Sequence, residues 1–212
     1  MKKLEIIKRE AKRIFASAKG SHDWEHTERV YNMAVHIAKK EGANLEIVRY
    51  AAILHDIGRR QEDESGGKIC HAAKGAQIAA KILAGHGLSN DKIVKITHCI
   101  ETHRFRSNKK PRTPEAKAVF DADKLDSIGA VGIGRAFLFA GEIGAKLHNK
   151  GVAIEKTRPY TCDDTAYREY RVKLMHVKSR ILTREGRRIA RERDEFMKEF
   201  FARLDSEVKG SI

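Results

Sequence analysis

The chain has 212 residues, 41% of them hydrophobic, with 43 Lys plus Arg against 29 Asp plus Glu and a formal net charge of +14. That length can bury a full core without disulfides, and Cys70, Cys99 and Cys162 form no CxxC pair, which argues against a disulfide framework or a thiolate zinc site and for reduced thiols in a cytoplasmic protein. No window approaches the roughly 18 consecutive apolar residues of a membrane span, and "MKKLEIIKREAKRIF" lacks the apolar run of a signal peptide, so no membrane partner is expected.

Apolar residues recur at spacings of three and four, strict alternation is rare, and Pro occurs only three times, a pattern that predicts an all-α fold. Helices are expected over about 2–18, 23–41, 45–57, 71–85, 90–104, 114–128 and 130–147, and as one or two helices over 164–208. Asp23 can cap the second helix and Gly42 can end it; Gly58 stands where a glycine would close the third; Asn90 can cap the fifth; Pro114 suits the first turn of the sixth. Segment 148–163 has no clear period and reads as a connection with room for a short hairpin. With no repeat and no low-complexity linker, a single domain over 1–212 is expected, its core at about 20–147 and residues 164–208 forming a helical extension packed on it.

The positive charge attracts polyanions, whether nucleotides or nucleic acid. It is concentrated in "RFRSNKKPR" (104–112), which carries five cations and no acid, and in the mixed-sign stretch 165–212, which is spaced like a solvated helix face.

Several helical stripes end on titratable groups. Stepping back four residues from Val30 on the second helix reaches His26. Val48 and Ala51 or Ala52 lead to His55, with Asp56 beside it; Ile93, Ile96 and Ile100 lead to His103; Ala116, Val119 and Phe120 lead to Asp123. Each group lies near a helix end and faces the expected core. Burying an unpartnered carboxylate costs several kcal/mol, so two inward carboxylates among inward imidazoles point to a metal. His98 and Asp121 fall off their stripes, and His36 and His86 have no carboxylate beside them in sequence.

The order His26, then His55 and Asp56, then Asp123 within "DADKLDSIG" resembles the H…HD…D signature of the HD-domain metal-dependent phosphohydrolase superfamily. "HDWEHTERV", "AAILHDIG", "CHAAKGA", "DADKLDSIGAVGIGRAF" and "LTREGRRIARERDEFMKEFF" are similar to small stand-alone HD proteins of bacteria and archaea, over roughly residues 20–205. The resemblance implies an all-α HD-domain helical bundle around a divalent ion held by His26, His55, Asp56 and Asp123. It also implies that His71 and His103 help hold a second ion or lie near the substrate phosphate. No GYP motif follows His103, which sets the cyclic-di-GMP phosphodiesterase branch aside.

Nitrogen and oxygen donors without thiolate suit Mn²⁺, favoured here, or Mg²⁺, Co²⁺, Ni²⁺, Fe²⁺ or Zn²⁺. Asp56 is the leading general base and Glu25, next to His26, the alternative; whether Glu62, Asp63 or Glu64 orients the water, or Arg59 and Arg60 meet phosphate, stays open. Lys74, Lys124, Arg104 and Arg106 lie close in sequence to the expected ligands and are candidates for substrate phosphate. "GAVGIGRAF" lacks the GxGxxG spacing and a preceding strand, so its glycines are assigned to helix packing. The expected function is a divalent-metal-dependent phosphohydrolase acting on nucleotides or related phosphate compounds, with pyrophosphohydrolysis ahead of monoester cleavage. The alternative is a nucleic-acid or nucleotide binding protein with a structural or vestigial metal. The last helix leaves room for a homo-oligomer.

Overall fold

Helices account for most of the computed structural model, which describes residues 2–15, 24–104 and 109–211. They are α1 (Lys2–Phe15), α2 (Trp24–Glu41), α3 (Leu45–Leu54), α4 (Arg59–Glu64), α5 (His71–Gly85), α6 (Asn90–Thr102), α7 (Pro114–Leu125), α8 (Gly129–Glu142), α9 (Ala166–Val172) and α10 (Arg184–Lys209). Three single 3₁₀ turns lie at Ile154–Lys156, Leu174–His176 and Lys178–Arg180, and no strand occurs among the described residues. The all-α reading therefore holds, while the hairpin allowed for 148–163 is replaced by irregular chain around the first 3₁₀ turn.

The chain forms two compact units, residues 1–123 with 183–185, and residues 124–182 with 186–212. In the first, α2 packs on α3, α3 on α6, α5 on α6, and α1 on α3. The stripes responsible are short and largely aliphatic: Val30, Ala34 and Ile37 on α2; Ala72, Ala76, Ala79 and Leu83 on α5; Ile96, Cys99 and Ile100 on α6. Helix α3 is buried over nearly its whole length, as its apolar run requires. Its start is fixed by Asn44, whose side chain accepts from the amides of Glu46 (3.0 Å) and Ile47 (3.3 Å). In the second unit Ile133, Ala136, Tyr170, Ile189, Met197 and Phe201 are buried, and Tyr170 stacks on Phe201 at 4.3 Å. Buried Asp194 is paired there with Lys178 and, at 3.1 Å, with Lys198.

Three expectations about boundaries change. Helix α4 was not foreseen, because "RRQEDE" has no apolar residue to set a period. Gly58 does not close α3 in a left-handed conformation: its φ is −92° and it opens α4. Ser89, not Asn90, occupies the position before α6. The stretch 164–208, expected as one or two helices, is two, separated by 3₁₀ turns. Asp23 and residues 16–18 lie outside the described residues.

Candidate metal centre

Six side chains from five places in the first unit meet at one point. His26 sits in the first turn of α2, His55 and Asp56 directly follow α3, His71 opens α5, His103 follows α6, and Asp123 lies in the last turn of α7. Every one therefore projects from a helix end, where backbone geometry allows a side chain to reach inward without interrupting a packed stripe. Five are buried and Asp123 is half-buried. The site residues predicted from helical period (His26, His55, Asp56, His103, Asp123) and from the family resemblance (His71) are thus brought together.

Asp56 stands between two groups of donors. Its Oδ2 lies 3.8 Å from His26 Nε2 and 3.7 Å from His55 Nε2, and His26 Nε2 is 3.4 Å from Asp123 Oδ1. Its Oδ1 lies 3.4 Å from His71 Nε2 and 3.3 Å from His103 Nε2. Octahedral bonds of about 2.1 Å place adjacent ligand atoms about 3.0 Å apart and opposite ones about 4.2 Å apart. The observed separations fall in that range.

The hydrogen bonds around the imidazoles fix which nitrogen carries the proton. His55 Nδ1–H donates to the Ala52 carbonyl (2.8 Å), His103 Nδ1–H to the Ile100 carbonyl (2.6 Å), and His71 Nδ1–H to Glu62 Oε2 (2.5 Å). In neutral rings this leaves each Nε2 as a bare lone pair. The lone pairs of His71 and His103 face one another, 3.1 Å apart, and that of His55 lies 3.3 Å from His26 Nε2. Burial, opposed chiefly by Asp56, pushes His55 down to about 4. Burial also depresses His71 strongly; Asp56 opposes it, while Arg59 and Arg104 push the same way. Protons are therefore poor bridges at neutral pH. A cation that accepts from several lone pairs fits this donor set, and two groups are suited to one: His26, His55 and Asp123, and Asp56, His71 and His103.

Charged residues around the centre answer part of what the sequence left open. Arg59 Nη2 donates to both oxygens of Asp56 (3.0 and 3.3 Å) and its Nη1 to Glu62 Oε2 (2.9 Å). Burial would lower the Arg59 guanidinium, but Asp56, Glu62 and Asp123 outweigh it and raise it. Arg104 Nη2 meets Glu62 Oε1 at 2.8 Å. Arg60 instead pairs with Glu64 in solvent (2.6 Å). Lys74, one turn into α5, is half-buried; Glu25 is exposed; Lys124 falls in the second unit; Arg106 lies outside the described residues.

Of the three acids that the sequence left undecided, Glu62, Asp63 and Glu64, it is Glu62 that reaches the centre. It is 7% exposed and sits on α4, where no apolar stripe marks an inward face. In sequence it stands in the acidic run Glu62, Asp63 and Glu64, and nothing local distinguishes it from the other two.

His36, His86, His98, Asp121 and Asp126 find partners outside the centre. His36 and His86 do have carboxylates, supplied from far along the chain: Glu185 and Glu10, each at 2.8 Å. His98 Nε2 accepts from the Arg112 amide at 3.3 Å. Asp121, expected off its stripe, is fully buried and accepts from the amide (2.7 Å) and hydroxyl (2.6 Å) of Thr183. Asp126 pairs with Arg135 at 2.7 Å.

A helical unit with H…HD…D gathered at its centre defines a protein of the HD type. The chain belongs to the HD domain family, whose model matches residues 23–128. Over 99% of its length it is 32% identical to YpgQ of Bacillus subtilis, covering 96% of that protein. The crystal structure of YpgQ in complex with ADP superposes with a TM-score of 0.76 at 31% identity, covering 98% of each chain. An HD-superfamily hydrolase from Bacillus thuringiensis gives a TM-score of 0.78 at 25% identity over 98% of this chain and 97% of its own. Ribonuclease Y of Chloroflexus aurantiacus is 31% identical over 57% of this chain, a stretch that spans 21% of that enzyme. HD domains bind divalent metals, and the His and Asp side chains described above are positioned for one. No helix among the described residues is long and apolar enough to cross a membrane.

Proposed function

We propose that the protein is a divalent-metal-dependent phosphohydrolase acting on nucleotides, with cleavage of a nucleoside triphosphate to monophosphate and pyrophosphate as its favoured reaction. The observation that carries this reading is the set of imidazole Nε2 atoms turned towards one another and towards Asp56, which has no use in an apolar core. His26, His55, Asp56 and Asp123 would hold one ion; His71 and His103, with Asp56, would hold a second. Mn²⁺ suits this mix of imidazole and carboxylate. What such ions supply is a water pKa lowered from about 15.7 towards 7 and relief of charge on the phosphoryl oxygens.

The chain's own groups do the rest. Asp56 is the general base, because it is buried at the junction of the two groups and held in place by Arg59. Glu25, in solvent, is the weaker candidate. Water attacks phosphorus, the bond to the leaving oxygen breaks, and Asp56 takes the proton. Lys74 and Arg104, with Lys124 and Arg106 as further candidates, hold the remaining phosphate charge. The ADP bound to YpgQ supports a nucleotide as the substrate class.

The stretch shared with ribonuclease Y supports a second reading, cleavage of RNA phosphodiesters. Product analysis separates the two: incubation with Mn²⁺ and each nucleoside tri-, di- and monophosphate, and with short RNA, should yield monophosphate and pyrophosphate from a triphosphate. RNA fragments without nucleotide turnover would favour the second reading. Turnover of neither would overturn both.

A further inference from the structure

The half of the centre built by Asp56, His71 and His103 is flanked by two guanidinium groups. Arg59 contacts Asp56, and Arg104 contacts the carboxylate that holds His71. A single carboxylate beside two guanidinium cations makes an environment that would repel a second dication and attract an anion. Glu62 changes that balance. Its Oε2 accepts from His71 Nδ1 and Arg59 Nη1, and its Oε1 lies against Arg104 Nη2. One buried carboxylate thus offsets both arginines and, through the Nδ1 bond, turns His71 Nε2 towards Asp56 and His103.

The geometry points to Glu62 as a positioning residue that makes this half of the centre a cation site. With Glu62 in place, His71 has a fixed tautomer and orientation and the local charge admits a second divalent ion. Without it, Arg59 and Arg104 are left unbalanced, and the same pocket favours a phosphate oxygen over a metal. Glu62 touches neither substrate nor reacting atoms in this role; it acts through His71 and the two arginines. The inference rests on the two-ion form of the proposed function.

The test is Mn²⁺ binding to the full chain by equilibrium dialysis, with the spin-coupled signal of a Mn²⁺ pair followed by electron paramagnetic resonance, for wild type, Glu62→Gln and Glu62→Asp. Wild type should bind two ions per chain and give the coupled signal. Glu62→Gln, which keeps the shape and loses the charge, should keep the first ion within about 2-fold and weaken the second by roughly 10–100-fold, with loss of the coupled signal. Glu62→Asp keeps the charge and should weaken the second ion less than Glu62→Gln does; it also serves if Glu62→Gln does not fold. Two ions bound to Glu62→Gln at wild-type affinity, an equal loss of both ions, or a Glu62→Asp effect as large as that of Glu62→Gln would overturn the role of Glu62 alone. A wild-type protein that binds a single ion would overturn the two-ion reading and the inference together.

Discussion

Gly58 runs so close to His71 that a methyl group on it would fall 2.4 Å from the His71 carbonyl oxygen and 2.5 Å from the Gly75 amide nitrogen. Both neighbours are backbone and cannot swing aside. The residue that follows His55, Asp56 and Ile57 is therefore glycine because α5 must pass there, carrying His71 to the centre.

Gly58→Ala should accordingly cost roughly 2–3 kcal/mol, a fall in Tm on the order of 5–10 °C for a chain of this size, and should weaken metal binding through His71. Gly42, at φ +68° with open space around it, is the control: Gly42→Ala should cost only about 1 kcal/mol of backbone strain and leave metal binding unchanged. Calorimetry on both variants, with equal losses, would remove the packing argument.

The stability of the metal-free protein should fall in mild acid. His55 is held at about 4 in the folded state by burial, against 6.5 when exposed. Protons then bind the unfolded chain first, so this contribution is complete above pH 6.5 and is lost as the pH falls from 6.5 towards 4. The shift corresponds to about 3 kcal/mol across that window. Urea denaturation at pH 7.5, 5.5 and 4 should show this loss in the wild type and a flatter profile in His55→Gln; parallel profiles would assign the acid sensitivity elsewhere.

The three thiols should separate by reactivity. Cys162 is exposed, Cys70 is half-buried, and Cys99 is buried with its thiol pushed up to about 12 by burial and by Glu115. At Cys70 burial is outweighed by the amides of Ala73 and Ala72 and by Arg104, so the thiol is lowered. A disulfide reagent at pH 7.5 should modify Cys162 and Cys70 in the native protein and Cys99 only after denaturation. Rapid labelling of all three would contradict the packing of α6.

Helical period made His26, His55, His103 and Asp123 legible because each continues an apolar stripe to its end, and Asp56 came with His55. His71 has no stripe leading to it, since it opens α5, and only the flanking "CHAAKGA" marked it. Glu62 stayed undecided beside Asp63 and Glu64, and α4 was missed, for a related reason: the burial of Glu62 comes with His71, Arg59 and Arg104, partners three to 42 residues away. Asp121 shows the opposite limit. Its period placed it off the core, yet Thr183, 62 residues on, supplies the hydrogen bonds that let it be buried.

The central claim is that the converging imidazoles and carboxylates perform metal-dependent hydrolysis. The most direct measurement is release of phosphate or pyrophosphate from nucleoside triphosphates in Mn²⁺ by wild type, His55→Ala and Asp56→Ala, each with and without chelator. The account predicts turnover by the wild type, abolished by chelation and by either substitution while the variants stay folded. Equal turnover by the wild type and both variants would contradict it.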